Sequence, residues 1–296
     1  MGAVSGELAR AAREAGATLV TGATVTLVSP DGEVRWQGED GERMSRADTI
    51  LVNAAPTVLD GLLAASADSS ATTARPEGAQ VKVNLLLNRL PKLRDETVAP
   101  EAAFAGTFHI NELATQLEHA HDAAAAGELP DPLPCEIYCH TLSDRTILGP
   151  SLRDTETQTL TVFGLHVPDR LVDRYGNDEL RERLQAAVLA SLNSVLAEPI
   201  EGILATDASG NPCIETKTTR DLEEALAMPG GNIFHGSLSW PWAEPGQALA
   251  TPAERWGVAT AHTRILLCGS GAVRGGAVSG LGGHNAAMAV LEARGA

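Results

Sequence analysis

The chain has 296 residues, enough for one large domain or two ordinary ones, and its composition is that of a soluble globular protein. Its formal net charge of -16 argues against a nucleic-acid partner, because neutralising phosphates takes a clustered basic surface. No apolar run reaches the ~18 residues that span a bilayer, and Met1-Gly2-Ala3-Val4-Ser5-Gly6 has neither the basic nor the apolar stretch of an export signal. The four cysteines, Cys135, Cys139, Cys213 and Cys268, are too few and too scattered for a disulfide scaffold, so a reducing, cytoplasmic location is expected.

In chain order, Val4, Leu8, Ala11 or Ala12, and Ala15 share one helical face, and Gly16 stands where the helix should stop. A strand is predicted at about residues 18–28. Asp31-Gly32 and Asp40-Gly41 are turn dipeptides flanking Glu33-Val34-Arg35-Trp36-Gln37, which predicts a β-meander before a buried strand at Thr49-Ile50-Leu51-Val52. Residues 64–79, rich in Ala, Ser and Thr with Pro76 and Gly78, read as a crossing into another region. From Val81 to Leu87 the odd positions are apolar at period two, marking a half-buried strand of a new sheet. Residues 135–139 and 160–165 add strands to it. Leu180, Leu184, Ala187, Val188, Leu192 and Val195 keep helical spacing, with Asp178 as the expected N-cap. Residues 264–268 form a last short strand, followed by a glycine-rich loop and an Ala-rich helix.

Seven of the fifteen residues from Gly269 to Gly283 are glycine. Glycine lets backbone approach a ligand closely and adopt positive φ, and the helix N-terminus beyond the loop offers unpaired N–H groups and a partial positive charge. Such a loop suits a phosphate or the edge of an electron-rich cofactor. The G-x-G-x-x-G dinucleotide fingerprint does not fit, because Arg274 occupies the place of its third glycine. Too little chain follows for a second strand and a ribose-binding acid. A phosphate-binding P-loop fails for want of its Gly-Lys-Ser/Thr ending, and a glycine-rich packing loop is the remaining alternative.

The segment from Leu267 to Ala287 resembles the C-terminal FAD motif of phytoene-dehydrogenase-like oxidoreductases, L-C-G-x-G-x-x-x-G-G-x-V-x-G-x-x-G-x-N-A-A. Pro229-Gly230-Gly231-Asn232-Ile233-Phe234-His235-Gly236 and Asn53-Ala54-Ala55-Pro56 extend the likeness towards the branch of the pyridine-nucleotide-disulphide oxidoreductase domain-containing proteins, over nearly the whole chain. The resemblance implies FAD as cofactor. Gly269, Ser270 and Gly271 would approach the ribityl and pyrophosphate, and Gly275, Gly276, Val278, Ser279 and Gly280 would lie under the isoalloxazine. Val25 would meet the adenine through its backbone, and Asn53 and Ala54 would lie along the adenosine. Two departures matter. Ser270 stands where many family members place an acid, and the front fingerprint is missing, as though the chain were the C-terminal portion of a longer oxidoreductase.

The fold class expected is therefore α/β plus α+β: a partial, Rossmann-like FAD domain from residues 1–65 and 240–296, with a substrate domain over 66–239 containing a mixed or antiparallel sheet. His235 and Trp240 are candidates for a substrate pocket, with Phe234 and Trp240 alternatively closing a domain junction. Gly230, Gly231 and Gly236 suggest a tight turn near the cofactor. No metal is expected: His119, His121 and Asp122 read as a solvated helix face, and on an extended strand Cys135 and Cys139 would stand roughly 13 Å apart. Buried thiols are the reading for that pair, and a small core residue for Cys268.

The implied function is FAD-dependent dehydrogenation or isomerisation of a small apolar or conjugated organic substrate. The alternative is a non-catalytic remnant, or a subunit that needs a separate N-terminal half to bind FAD. A homo-oligomer is a further possible arrangement.

Overall fold

The computed structural model describes residues 2–64, 74–238, 240, 242–247, 249–273 and 280–295. In chain order the elements are α1 (Gly2–Glu14), β1 (Thr24–Val28), β2 (Glu33–Gly38), β3 (Gly41–Arg46), β4 (Ile50–Val52) and α2 (Pro56–Ala64). Next come β5 (Gln80–Leu87), α3 (Pro100–Phe104), β6 (Phe108–Ile110), α4 (Ala114–Ala125), β7 (Cys135–Tyr138) and β8 (Gln158–Leu165). They are followed by α5 (Arg170–Tyr175), α6 (Asn177–Val195), β9 (Ile214–Lys217), α7 (Thr219–Leu226), α8 (Pro252–Arg255), β10 (Ile265–Leu267) and α9 (Leu281–Ala293). Among the described residues no helix is long and apolar enough to cross a membrane. The chain divides into two compact units, residues 1–74 with 238–296, and 75–237.

The first unit is made from both ends of the chain. β1, β2 and β3 form the antiparallel meander, with Gly32 and Gly41 at positive φ in its turns. β1 is shorter than the sequence suggests: it begins at Thr24, after Gly22 at φ 64, and Leu19 and Val20 are exposed. β4 and β10 pair in parallel, Ile50 against Ile265 and Val52 against Leu267. Strand alternation sends Ile265 into a cluster with Val28, Ile50, Val52, Leu59 and Leu63, whereas Leu266 packs with Val258, Ala272, Ala286 and Ala289. The pair thus has α2 on one face and α9 on the other. α1 forms as its spacing suggests and stops at Gly16 (φ 90), but it buries no residue, and Val4 and Leu8 are exposed.

The second unit is built on a five-stranded antiparallel sheet in the order β6-β7-β8-β5-β9. Val81, Val83, Leu85 and Leu87 are buried on one face of β5, alternating with half-buried neighbours. The stripe Leu180, Leu184, Val188 and Leu192 on α6 is buried in the same core. Asp178 is not the N-cap of α6. Gly176, at φ 79, ends α5 and starts α6, and Asp178 lies in the first turn with its carboxylate on Arg181.

The two ends of this unit are fastened together. Gly78 N–H donates to the Gly230 carbonyl at 2.9 Å, Asn232 Nδ2 to the Glu77 carbonyl at 3.1 Å and Gln80 Nε2 to the Gly231 carbonyl at 2.7 Å. A Cβ on Gly230 (φ +59) would stand 2.2 Å from the Pro76 carbonyl oxygen, and one on Gly231 (φ +65) 2.6 Å from the Thr219 Cα. The tight turn at Gly230-Gly231 therefore answers to packing inside the second unit; Gly236 has open space around it. Close by, Asp169 is buried, accepting from Arg75 Nη1 at 2.8 Å and Thr219 Oγ1 at 2.7 Å. Thr218 and Asp221 form a capping box that starts α7, and Arg181 and Asn177 also donate to Asp221.

Two consequences can be measured. Gly230→Ala, lacking both the space and the conformation for a side chain, should lower unfolding free energy by on the order of 2 kcal/mol in a urea titration. A neutral result would contradict the packing at Pro76. Burial alone would raise the Asp221 carboxyl, but hydrogen bonds from Arg181, the Thr218 N–H and Asn177 hold it at about 2. Because that is below the roughly 3.9 of an unfolded Asp, its stabilisation is complete above about pH 4 and is lost as pH falls through the folded value. The melting-temperature gap between wild type and Asp221→Asn should narrow from pH 5 to pH 2; a constant gap would refute this.

Candidate cofactor-binding site

At the carboxyl end of the parallel pair, β4 runs into Asn53-Ala54-Ala55-Pro56 and β10 into Cys268-Gly269-Ser270-Gly271. Cys268 N–H donates to the Val52 carbonyl at 2.9 Å, carrying the ladder one step past the strands. Helices α2 and α9 both begin at this end, so two partly positive helix termini face the same region. The carboxyl end of parallel strands is where open α/β sheets take their ligands.

The glycines here are in close contact with the protein itself. A Cβ on Gly269 would lie 1.9 Å from Asn53 Oδ1, and one on Gly271 2.6 Å from Pro56 Cδ. On Gly282 it would meet the Gly269 and Cys268 carbonyl oxygens at 2.6 and 2.9 Å. Gly280, at φ 73, starts α9. Gly269 and Gly271 thus make room for the Asn53 and Pro56 side chains, and Gly282 lets the first turn of α9 meet the β10 end backbone to backbone, which gives all three a structural reason independent of any ligand.

Of the residues expected to hold a cofactor, Asn53, Ala54, Gly269, Ser270, Gly271 and Gly280 lie on the segments that leave β4 and β10 or open α9. Gly275, Gly276, Val278 and Ser279 lie outside the described residues. Val25 is on the meander opposite Trp36, not on the parallel pair, and is partly exposed. The hydroxyl of Thr57, one residue into α2 after Pro56, is buried and has no hydrogen-bond partner among the described residues. An orphaned buried hydroxyl at a helix start beside the Gly271–Pro56 contact is the kind of group a bound ligand satisfies. Thr57 was not apparent in the sequence; its place directly after the strand-ending Asn-Ala-Ala-Pro was the available signal. Burial pushes the Cys268 thiol above its ordinary value, in keeping with an unreactive packing residue.

The substrate-side candidates fall in different units. His235, in the second, has φ 61 and a buried Nδ1 without a hydrogen-bond partner among the described residues, and burial lowers its pKa. Trp240, in the first, is largely exposed. A cleft of about 470 Å³ on the less buried face of the five-stranded sheet was not foreseen; Asn84, Leu86, His140, Ile147, Thr161 and Cys213 are among its walls. His119 and His121 sit exposed on α4, and Cys135 and Cys139 are buried.

The described elements make a mixed α/β protein with two antiparallel sheets and one parallel strand pair. No protein-family model matches the sequence. The chain is 59% identical over 295 residues to uncharacterized proteins of Mycobacterium tuberculosis and Mycobacterium bovis, matching 98% of this chain and 54% of each relative. It is a distant homologue, 28% identical over 311 residues, of the pyridine nucleotide-disulfide oxidoreductase domain-containing protein 2 of Mus musculus, matching 99% of this chain and 50% of that protein. The chain therefore spans about half the length of the curated relatives it matches. Among solved structures, the OxyS anhydrotetracycline hydroxylase of Streptomyces rimosus aligns over 90% of this chain and 35% of its own at 13% identity, with a TM-score of 0.32 that carries no structural argument.

The glycine contacts make a paired test. Gly282→Ala should destabilise the protein by about 2 kcal/mol, because backbone oxygens cannot move aside. Its neighbour Gly283 has only the Cys268 oxygen, at an ordinary 3.8 Å, so Gly283→Ala should be neutral or stabilising by up to about 1 kcal/mol. Equal effects of the two substitutions in thermal unfolding would exclude this account of how α9 docks.

Proposed function

We propose that the chain supplies a partial FAD-binding domain and the substrate domain of a phytoene-dehydrogenase-like oxidoreductase that dehydrogenates or isomerises an apolar or conjugated organic molecule. The observation that carries this reading is the convergence of Asn53, Gly269, Gly271 and the start of α9 at the carboxyl end of the β4–β10 pair, in a chain homologous to an oxidoreductase-domain protein. Asn53, Ala54, Thr57, Gly269, Ser270, Gly271 and Gly280 would hold FAD, together with Gly275, Gly276, Val278 and Ser279, and with Val25 on the adenine side. When bound, FAD supplies the hydride acceptor, and the protein supplies position and electrostatics. The start of α9 would place its positive end toward negative charge on the cofactor. For substrate contact His235 is proposed on the second unit and Trp240 on the first. The cleft over the five-stranded sheet, with Leu86 and Ile147 among a few polar groups, offers the apolar wall and sparse polar contacts such a substrate needs.

One observation favours a second reading, in which a separate polypeptide completes the FAD site. Among the described residues β4 pairs with β10 alone, and Leu51 is exposed. Parallel strands are ordinarily buried within larger sheets, so the outer edge of β4 is a natural place for another strand.

Visible spectra discriminate the readings. The purified chain is mixed with FAD, desalted and scanned, alone and together with the part of the Mycobacterium tuberculosis relative that this chain does not match. Flavin retained by the chain alone supports a self-sufficient flavoprotein. Flavin retained only in the mixture supports the two-part enzyme. Colourless protein in both samples removes FAD from the proposal.

A further inference from the structure

In the second unit, away from the glycine-rich segment, His109, Glu112 and Glu136 each bring one potential ligand atom to within 4.8 Å of the other two. Local structure explains how. The β6–β7 register sets His109 directly opposite Glu136, while Ile110, Cys135 and Ile137 turn into the core. Asn111 follows β6 in the left-handed region (φ 60), its amide donating to the Leu133 carbonyl at 3.1 Å and to Ser191 Oγ at 3.3 Å. That anchored turn folds Glu112 back, so that its Oε2 meets His109 Nδ1 at 2.8 Å. Tyr138 donates its hydroxyl to Glu136 Oε2 at 3.0 Å.

The second observation is the other oxygen of Glu112. Oε1 is buried and has no hydrogen-bond partner among the described residues, although the carboxylate side chain is only 14% exposed. A desolvated carboxylate oxygen without a donor is costly, and the usual remedies are missing: among the described residues neither Glu112 nor Glu136 pairs with Lys or Arg. A cation held between the two carboxylates and the imidazole offsets the charge that no Lys or Arg neutralises among the described residues.

We propose that His109, Glu112 and Glu136 form a binding site for a divalent transition ion of the Zn²⁺ type. One imidazole and two carboxylates suit Zn²⁺, whereas Mg²⁺ favours all-oxygen, largely hydrated surroundings. With bonds of about 2.0 to 2.2 Å to nitrogen and oxygen, the ion needs His109 and Glu112 to part slightly from their hydrogen-bonded distance. His109 is about half exposed, which leaves a coordination position open to water or to a small ligand. Tyr138 acts as a positioning residue for Glu136. The ion ties the three-residue edge strand β6 to β7.

The test is calorimetric titration of the full chain, purified in chelator and then freed of it, with ZnCl₂ and separately with MgCl₂. One Zn²⁺ should bind per chain, with no saturable Mg²⁺ binding. His109→Ala and Glu112→Gln should each weaken Zn²⁺ by well over about tenfold, and Tyr138→Phe by about tenfold, as loss of an outer-shell partner does. His119→Ala, on the exposed face of α4, should leave it unchanged. Zn²⁺ should also raise the melting temperature of wild type but not of Glu112→Gln. Circular dichroism checks folding, and Glu136→Gln, on the less buried sheet face, replaces any variant that fails to fold. Absence of saturable Zn²⁺ binding, undiminished affinity in any folded ligand variant, or loss in His119→Ala would overturn the site.

Discussion

The parallel pairing of β4 with β10 is the constraint on which the arrangement of this chain depends. Its two strands are separated in sequence by the whole second unit, whose entrance and exit lie beside one another. The backbone bond from Gly78 to Gly230 and the side-chain bonds of Asn232 and Gln80 make this closure, and Gly230 and Gly231 allow it by having no side chains where Pro76 and Thr219 pass. Asp169 ties the same region: its N–H donates to the Gly78 carbonyl while its carboxylate takes Arg75 and Thr219. A buried carboxylate of this kind is weak evidence for net stability, but removing one of its partners leaves an uncompensated charge, so it strongly disfavours alternative arrangements of the closure.

The same economy of space governs the other end of the pair. Gly269 and Gly271 leave room for the Asn53 and Pro56 side chains and Gly282 for the carbonyls after β10, and the cofactor reading rests on what that meeting point leaves available: two helix termini, the Asn53 segment and the Thr57 hydroxyl, unpaired among the described residues. Of the two roles open to these glycines, internal packing is the one visible in distances within the protein.

What could be read in the sequence followed periodicity. Val81 to Leu87 alternates over a full strand and proved buried on alternate positions, and the Leu180–Leu192 stripe lies in the same core. Asp31-Gly32 and Asp40-Gly41 fixed the meander because their turns need positive φ. Short elements escaped: β6 and β9, three and four residues long, carry too little pattern to register. Asp178 was a reasonable cap by residue type, yet α5 ends so close before α6 that Gly176 has to serve both. Of the site, the chemically suggestive glycines were legible but their contacts were not, since Gly269 and Asn53 meet only through the parallel register. The His109–Glu112–Glu136 group was invisible for the same reason. His119 and His121 are closer in sequence, but residues two apart on a helix do not face one another, whereas a cross-strand pair and the left-handed Asn111 bring His109, Glu112 and Glu136 together.

The closure at Gly78 and Gly230 also makes the second unit a cassette. Its ends leave from one place, and it owns a complete core on the α6 side of its sheet. Such a segment can be lost, exchanged or lengthened during evolution by changing only the two crossings, while a strand pair made of distant parts of the chain keeps its register.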